Sequence, residues 1–86
     1  MKVVHCKKES YDVYIGRPSK WGNPFIIGKD GTREEVIEKY EDWLLRQPAL
    51  IIELYELKGK TLGCFCSPNK CHGDILIKYA KKMKCG

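Results

Sequence analysis

Two short runs near the front of the chain, residues 2–6 and 11–15, are dense in β-branched and aromatic side chains: Val3 and Val4 in the first, Val13, Tyr14 and Ile15 in the second. Such residues suit a pleated, half-buried backbone, so both runs predict strands, joined by the polar link Lys7-Lys8-Glu9-Ser10. Residues 16–31 lose that pattern. Gly16, Gly22, Gly28 and Gly31 are interspersed with Pro18 and Pro24 there, which predicts a long structured loop of a kind that is often functional. At Thr32 the spacing becomes helical. Thr32-Arg33-Glu34-Glu35 has the form of a capping box, and Val36, Ile37, Tyr40, Trp43 and Leu44 then recur on one face, predicting a helix over 33–46 with Trp43 in the core. Pro48 suits the first turn of a second helix, whose Leu50, Ile51, Leu54 and Leu57 form an apolar stripe until Gly59 stops it.

Residues 60–66 return to a period of two, with Leu62, Cys64 and Cys66 on one face of a third strand and Thr61, Gly63 and Phe65 on the other. After a turn at Ser67-Pro68-Asn69, a last helix carries Ile75, Leu76, Tyr79 and Met83 inward and Lys78, Lys81, Lys82 and Lys84 outward, its basic end complementing the helix dipole. The order β-β-α-α-β-α predicts an α/β fold: a single compact domain over residues 1–86, with a small sheet packed against three helices. The pattern leaves the strand order open.

Composition narrows the class. At 86 residues there is no room for a second core. The longest apolar run, residues 49–52, is far short of the roughly 20 residues that span a bilayer, and the first residues lack a signal-peptide core. A cytoplasmic protein with no membrane partner is therefore expected. Five cysteines, an odd number with three close together, point to reduced thiols rather than a disulfide framework. The net charge of +5, from 16 basic against 11 acidic residues, leans towards anionic partners without choosing among nucleotides, nucleic acid and acidic protein surfaces.

Candidate chemistry concentrates in Cys64-Phe65-Cys66-Ser67-Pro68-Asn69-Lys70-Cys71-His72-Gly73-Asp74. Cys71, His72 and Gly73 sit where the last helix begins, so their backbone N–H groups and the positive end of the dipole would favour a phosphate. The same field would lower the Cys71 pKa, and His72 could serve as acid or base. Cys66, Cys71, His72 and Asp74 are thus the catalytic candidates, although Asp74 is also a plain helix-start carboxylate. Zinc is a further reading, with Cys64, Cys66, Cys71 and His72 as ligands and His5, Cys6 or Cys85 in reserve; the C-x-C-x4-C-H spacing differs from a C-x2-C knuckle. Buried strand cysteines beside a ligand site are the third.

A second motif is Tyr14-Ile15-Gly16-Arg17-Pro18-Ser19-Lys20-Trp21-Gly22-Asn23-Pro24-Phe25. Arg17 and Lys20 can reach phosphate oxygens, Trp21 offers a face to a base, and Asn23 carries the donor and acceptor to read a base or ribose edge. The competing reading anchors the loop to the core through Trp21 and Phe25 and leaves Arg17 and Lys20 in solvent.

Together, G-R-P-S-K-W-G-N-P-F and L-G-C-F-C-x4-C-H-G-D-I-L resemble the small bacterial and phage family catalogued as domain of unknown function 4326, over nearly the whole chain. The matching positions are Arg17, Trp21, Gly22, Asn23, Pro24, Phe25, Cys64, Cys66, Pro68, Cys71, His72, Gly73 and Asp74, with Phe65 where a tryptophan is usual. The resemblance implies a phage or bacterial origin, host cytoplasm if phage-encoded, and brings no assigned activity. The leading expectation is one pocket between the W-G-N-P-F loop and the C-H-G-D helix start, binding a nucleotide-like or other phosphorylated small molecule through Arg17, Lys20, Trp21, Asn23, Cys71, His72 and Gly73. The alternatives are a Cys/His-dependent enzyme acting on a nucleotide, and a zinc-stabilised module that binds nucleic acid or a host protein through its last helix.

Overall fold

The computed structural model describes residues 2–66 and 69–82. Three parallel strands form the sheet: β1 (Lys2–His5), β2 (Val13–Tyr14) and β3 (Thr61–Cys64), in the spatial order β1-β3-β2. The last strand in sequence is therefore the central one, and β1 and β2 never touch as a ladder. Register pairs Val3 with Leu62 on one side and Val13 with Leu62 on the other. The regular strands are shorter than residues 2–6, 11–15 and 60–66, yet single bonds extend both ladders: Cys6 N–H donates to Cys64 O, Asp12 N–H to Thr61 O and Ile15 N–H to Gly63 O. In passing from β1 to β2 the chain crosses β3 at Gly63. A Cβ there would lie 2.6 Å from the Tyr11 ring, so the tyrosine fills the place of a side chain.

Helix α1 (Arg33–Leu45) begins as its capping box requires: Glu35 N–H donates to the Thr32 hydroxyl, and Thr32 N–H to the Glu35 carboxylate. That backbone bond, with the Thr32 hydroxyl and nearby Lys39, holds Glu35 below the usual carboxylate range. Helix α2 (Pro48–Glu53) does not run on to Gly59 as an α-helix but tightens into a 3₁₀ turn, Leu54–Leu57. Three residues per turn bring Leu54 and Leu57 into line, and both are buried. Helix α3 (Gly73–Lys82) closes the described part of the chain, burying Leu76 and Ala80, with Lys81 and Lys82 in its last turn. Met83, Lys84 and Cys85, assigned above to this helix or to a ligand set, lie outside the described residues, as do Ser67 and Pro68.

One cluster joins the layers: Ile15, Leu62 and Cys64 from the sheet side, Tyr40 and Leu44 from α1, Leu54 and Leu57 from the 3₁₀ turn, and Cys71, Leu76 and Ala80 from the α3 side. Trp43 packs against it, half-buried. No helix among the described residues is long and apolar enough to cross a membrane.

Candidate functional site

Parallel strands end together, and in open α/β sheets the crevice beyond their carboxyl ends is where ligands are usually held. Here β2 and β3 both finish on such a crevice. It has a volume of about 490 Å³ and is walled by Tyr14, Gly16, Arg17, Asn23 and Phe25 from the front of the chain and by Cys64, Phe65, Cys66, Lys70, Cys71 and His72 from its back; Arg33, Val36 and Ile37 of α1 complete it. Arg17 and Asn23 of the first motif thus share one cleft with Cys71 and His72 of the second, far along the chain.

The segment 16–31 is held in place by its own polar groups. Ser19 N–H and Oγ–H both donate to Gly16 O, Gly22 N–H to Ser19 O, and the Tyr14 hydroxyl to Arg17 O. Asn23 is spent on structure: its Nδ2 donates to Val36 O at 3.2 Å and its Oδ1 accepts from Phe25 N–H at 2.9 Å. It fixes the loop to α1 rather than offering both edges to a ligand.

Two residues expected at the ligand are elsewhere. Trp21, 2% exposed, belongs to the core, where its carbonyl accepts from the Tyr40 hydroxyl at 2.7 Å. Lys20 turns away to Glu53 at 2.7 Å and Glu56 at 3.1 Å, which raise its pKa, and its ammonium lies over the Trp21 ring. Neither lines the cleft. The aromatic surface there comes from Tyr14, Phe25 and Phe65 instead, and Phe65 is 53% exposed with Tyr14 and His5 edge-on to it.

The start of α3 also differs from the expected phosphate cradle. Gly73 N–H donates to Cys71 Sγ, Asp74 N–H to Cys71 O, and Cys71 N–H faces Asp74 Oδ2 at 3.4 Å. These amides are already satisfied, which leaves the helix start little to offer an anion. Asp74 thereby has its plain structural role. Gly73 is a packing position: a Cβ would lie 2.7 Å from Val3 Cγ2 and 2.8 Å from Ile15 Cδ1.

Cys64 and Cys71 face each other, sulfur to sulfur at 3.2 Å, and both are buried thiols. The bond with Cys64, together with burial, pushes the Cys71 thiol up, the reverse of the lowering expected from the helix dipole. A thiol in that state is a poor nucleophile. Of the two candidate nucleophiles, Cys66, half-buried at the cleft wall, is the more accessible. Alkylation of the native protein at pH 8 is expected to modify Cys66 at least tenfold faster than Cys71; equal rates, read by peptide mass mapping, would contradict this. Among the described residues no three His, Cys, Asp or Glu side chains form a group that could hold a metal ion, so Cys64, Cys66, Cys71 and His72 do not converge as a zinc set.

His72 is 7% exposed, with Nε2 2.7 Å from Ile15 O and its ring edge-on to Tyr40. A carbonyl only accepts, so Nε2 carries the hydrogen. Burial, with the Arg17 charge adding to it, lowers the His72 pKa. The ring is neutral at physiological pH.

Among the described residues every charged side chain on the cleft wall is basic: Arg17, Arg33 and Lys70. Arg33 Nη1 donates to Lys70 O, and among the described residues none of the three has a carboxylate partner. The motifs did not single out Arg33 or Lys70, yet Arg33 had a signal: a cation in the first turn opposes the helix dipole, so helix stability does not account for it. On the outer face of α3, Lys78 is paired with Glu41 at 2.9 Å.

A small α/β domain with a cationic cleft at the ends of its parallel strands is the class defined by this architecture. Residues 2–82 match the family described as Domain of unknown function (DUF4326), and the chain belongs to it. It is 37% identical over 87 residues to an uncharacterized 12.4 kDa protein from the nrdA-td intergenic region of Enterobacteria phage T4, covering 95% of this chain and 79% of that one. It is 40% identical over 94 residues to an uncharacterized protein of Acanthamoeba polyphaga mimivirus, covering 88% of this chain and 72% of the relative. No solved structure matches.

Proposed function

We propose that the cleft binds a nucleotide or a similarly phosphorylated small molecule. The observation that carries this reading is the charge of the wall: Arg17, Arg33 and Lys70 line it together, with no acidic residue among its described lining side chains. Uncompensated cations in a partly enclosed space attract an anion, and arginine's planar fork matches phosphate oxygens in pairs. Beside them, the exposed ring of Phe65, with Tyr14 and Phe25, offers an aromatic surface suited to a base. The volume of about 490 Å³ falls within the range of small-molecule sites.

In this reading the guanidinium groups, rather than the α3 amides, neutralise the phosphate, and Trp21 and Lys20 support the loop from behind. Calorimetric titration of the intact protein with AMP tests it. Saturable binding at one site per chain, weakening as salt rises from low to physiological ionic strength, is expected. Absence of binding at millimolar AMP would overturn the reading.

A further inference from the structure

The identity of the anion's neighbour is encoded in His72. Its Nε2–H is committed to Ile15 O at 2.7 Å, which leaves the lone pair of the neutral ring on Nδ1. Among the described residues no buried side-chain nitrogen or oxygen lacks a hydrogen-bond partner, and the bond observed for the His72 ring is the one to Ile15. Nδ1 must therefore keep access to solvent, and the space that His72 borders is the cleft. The wall thus combines three cationic donors with one fixed, neutral acceptor.

The ionised phosphate of an ester satisfies only the cations: its oxygens accept, and facing the Nδ1 lone pair they would set two acceptors against each other. A ligand that fits both features carries a hydrogen-bond donor a few bonds from its phosphate. Arg17 and His72 line the same cleft, so a phosphate held by Arg17 would carry its adjoining carbon skeleton within that space. On a ribonucleotide or sugar phosphate the groups at that distance are sugar hydroxyls, whereas the amino groups of a base lie farther off.

We propose that His72 Nδ1 accepts a hydrogen bond from a sugar hydroxyl, making the cleft selective for ribose-type phosphates over phosphate esters lacking that hydroxyl. This rests on the cleft being a phosphate site. A cleft built to pair with a hydroxyl discriminates against the analogue lacking it, because Nδ1 is then left facing a ligand with nothing to donate.

The test compares AMP with 2′,3′-dideoxyadenosine 5′-monophosphate, which keeps the base and phosphate and loses both ribose hydroxyls. The intact protein is expected to bind AMP at least tenfold more tightly. In His72→Phe the ring shape is kept and both nitrogens are lost, so no acceptor remains and the two nucleotides should bind equally, both at the weaker affinity, with a thermal melt to confirm that the variant is folded. A second readout needs no variant: in nitrogen-edited NMR spectra the unprotonated Nδ1 resonance should move towards the protonated position with AMP and stay in place with the dideoxy compound. Equal affinities in the wild type, a preference that survives in folded His72→Phe, or an Nδ1 signal indifferent to AMP would each overturn the inference while leaving the phosphate site standing. Binding of neither nucleotide would remove the site and the inference together.

Discussion

Replacing Trp21 by alanine is expected to lower folding stability by about 3–5 kcal/mol, the range for deleting a large aromatic side chain from a packed core. The indole is 2% exposed, sits in the cluster with Tyr40, Leu44 and Leu54, and belongs to the residue whose carbonyl receives the Tyr40 hydroxyl. For a domain of 86 residues, whose whole stability is on the order of 5–15 kcal/mol, that is at least about a fifth of the total. Urea unfolding followed by fluorescence of the remaining Trp43 or by circular dichroism measures it. A loss below about 1 kcal/mol accompanied by a loss of AMP binding would return Trp21 to the ligand and contradict its placement in the core.

Arg17→Ala and Lys70→Ala are expected to do the opposite: to weaken AMP binding by about 10- to 100-fold each while leaving the melting temperature nearly unchanged. A charge-assisted hydrogen bond is worth about 1.5–3 kcal/mol, and about 1.4 kcal/mol is tenfold in affinity. Both side chains are exposed and neither is in an ion pair among the described residues, so folding loses little with them. Arg33→Ala is the less clean variant, because Arg33 also binds the Lys70 carbonyl and helps to place that segment. Calorimetry alongside thermal melts separates the two effects; full affinity in both the Arg17 and Lys70 variants would place the anion elsewhere.

How far the sequence could be read depends on how local each determinant is. Helix α1 was legible because the Thr32–Glu35 capping box and the stripe from Val36 to Leu44 act within a few residues, and the β-branched runs marked the strands for the same reason. Their order was not legible. Parallel pairing of β3 with both earlier strands is decided by contacts such as Val3 and Val13 against Leu62, which no local pattern reveals. The site divides likewise. The two motifs named the regions that meet, but the direction each side chain takes within them is tertiary: Lys20 finds Glu53 and Glu56, Trp21 finds Tyr40, and Arg33 and Lys70 enter the cleft from segments read as helix start and turn. The Cys71 thiol shows the same limit, because local reasoning about a helix dipole gave the wrong sign once Cys64 stood opposite it.

The insertion of β3 between β1 and β2 has a consequence for how the chain comes off the ribosome. Each outer strand waits for a partner about half a chain or more downstream, so no sheet can assemble while only the front of the protein has emerged. Helix α1 can nucleate early; the cleft, whose back wall is supplied by the same late segment, comes into being in one cooperative step with the sheet. Fragments that stop short of β3 should expose two unmatched strand edges and be prone to clump rather than to retain partial binding.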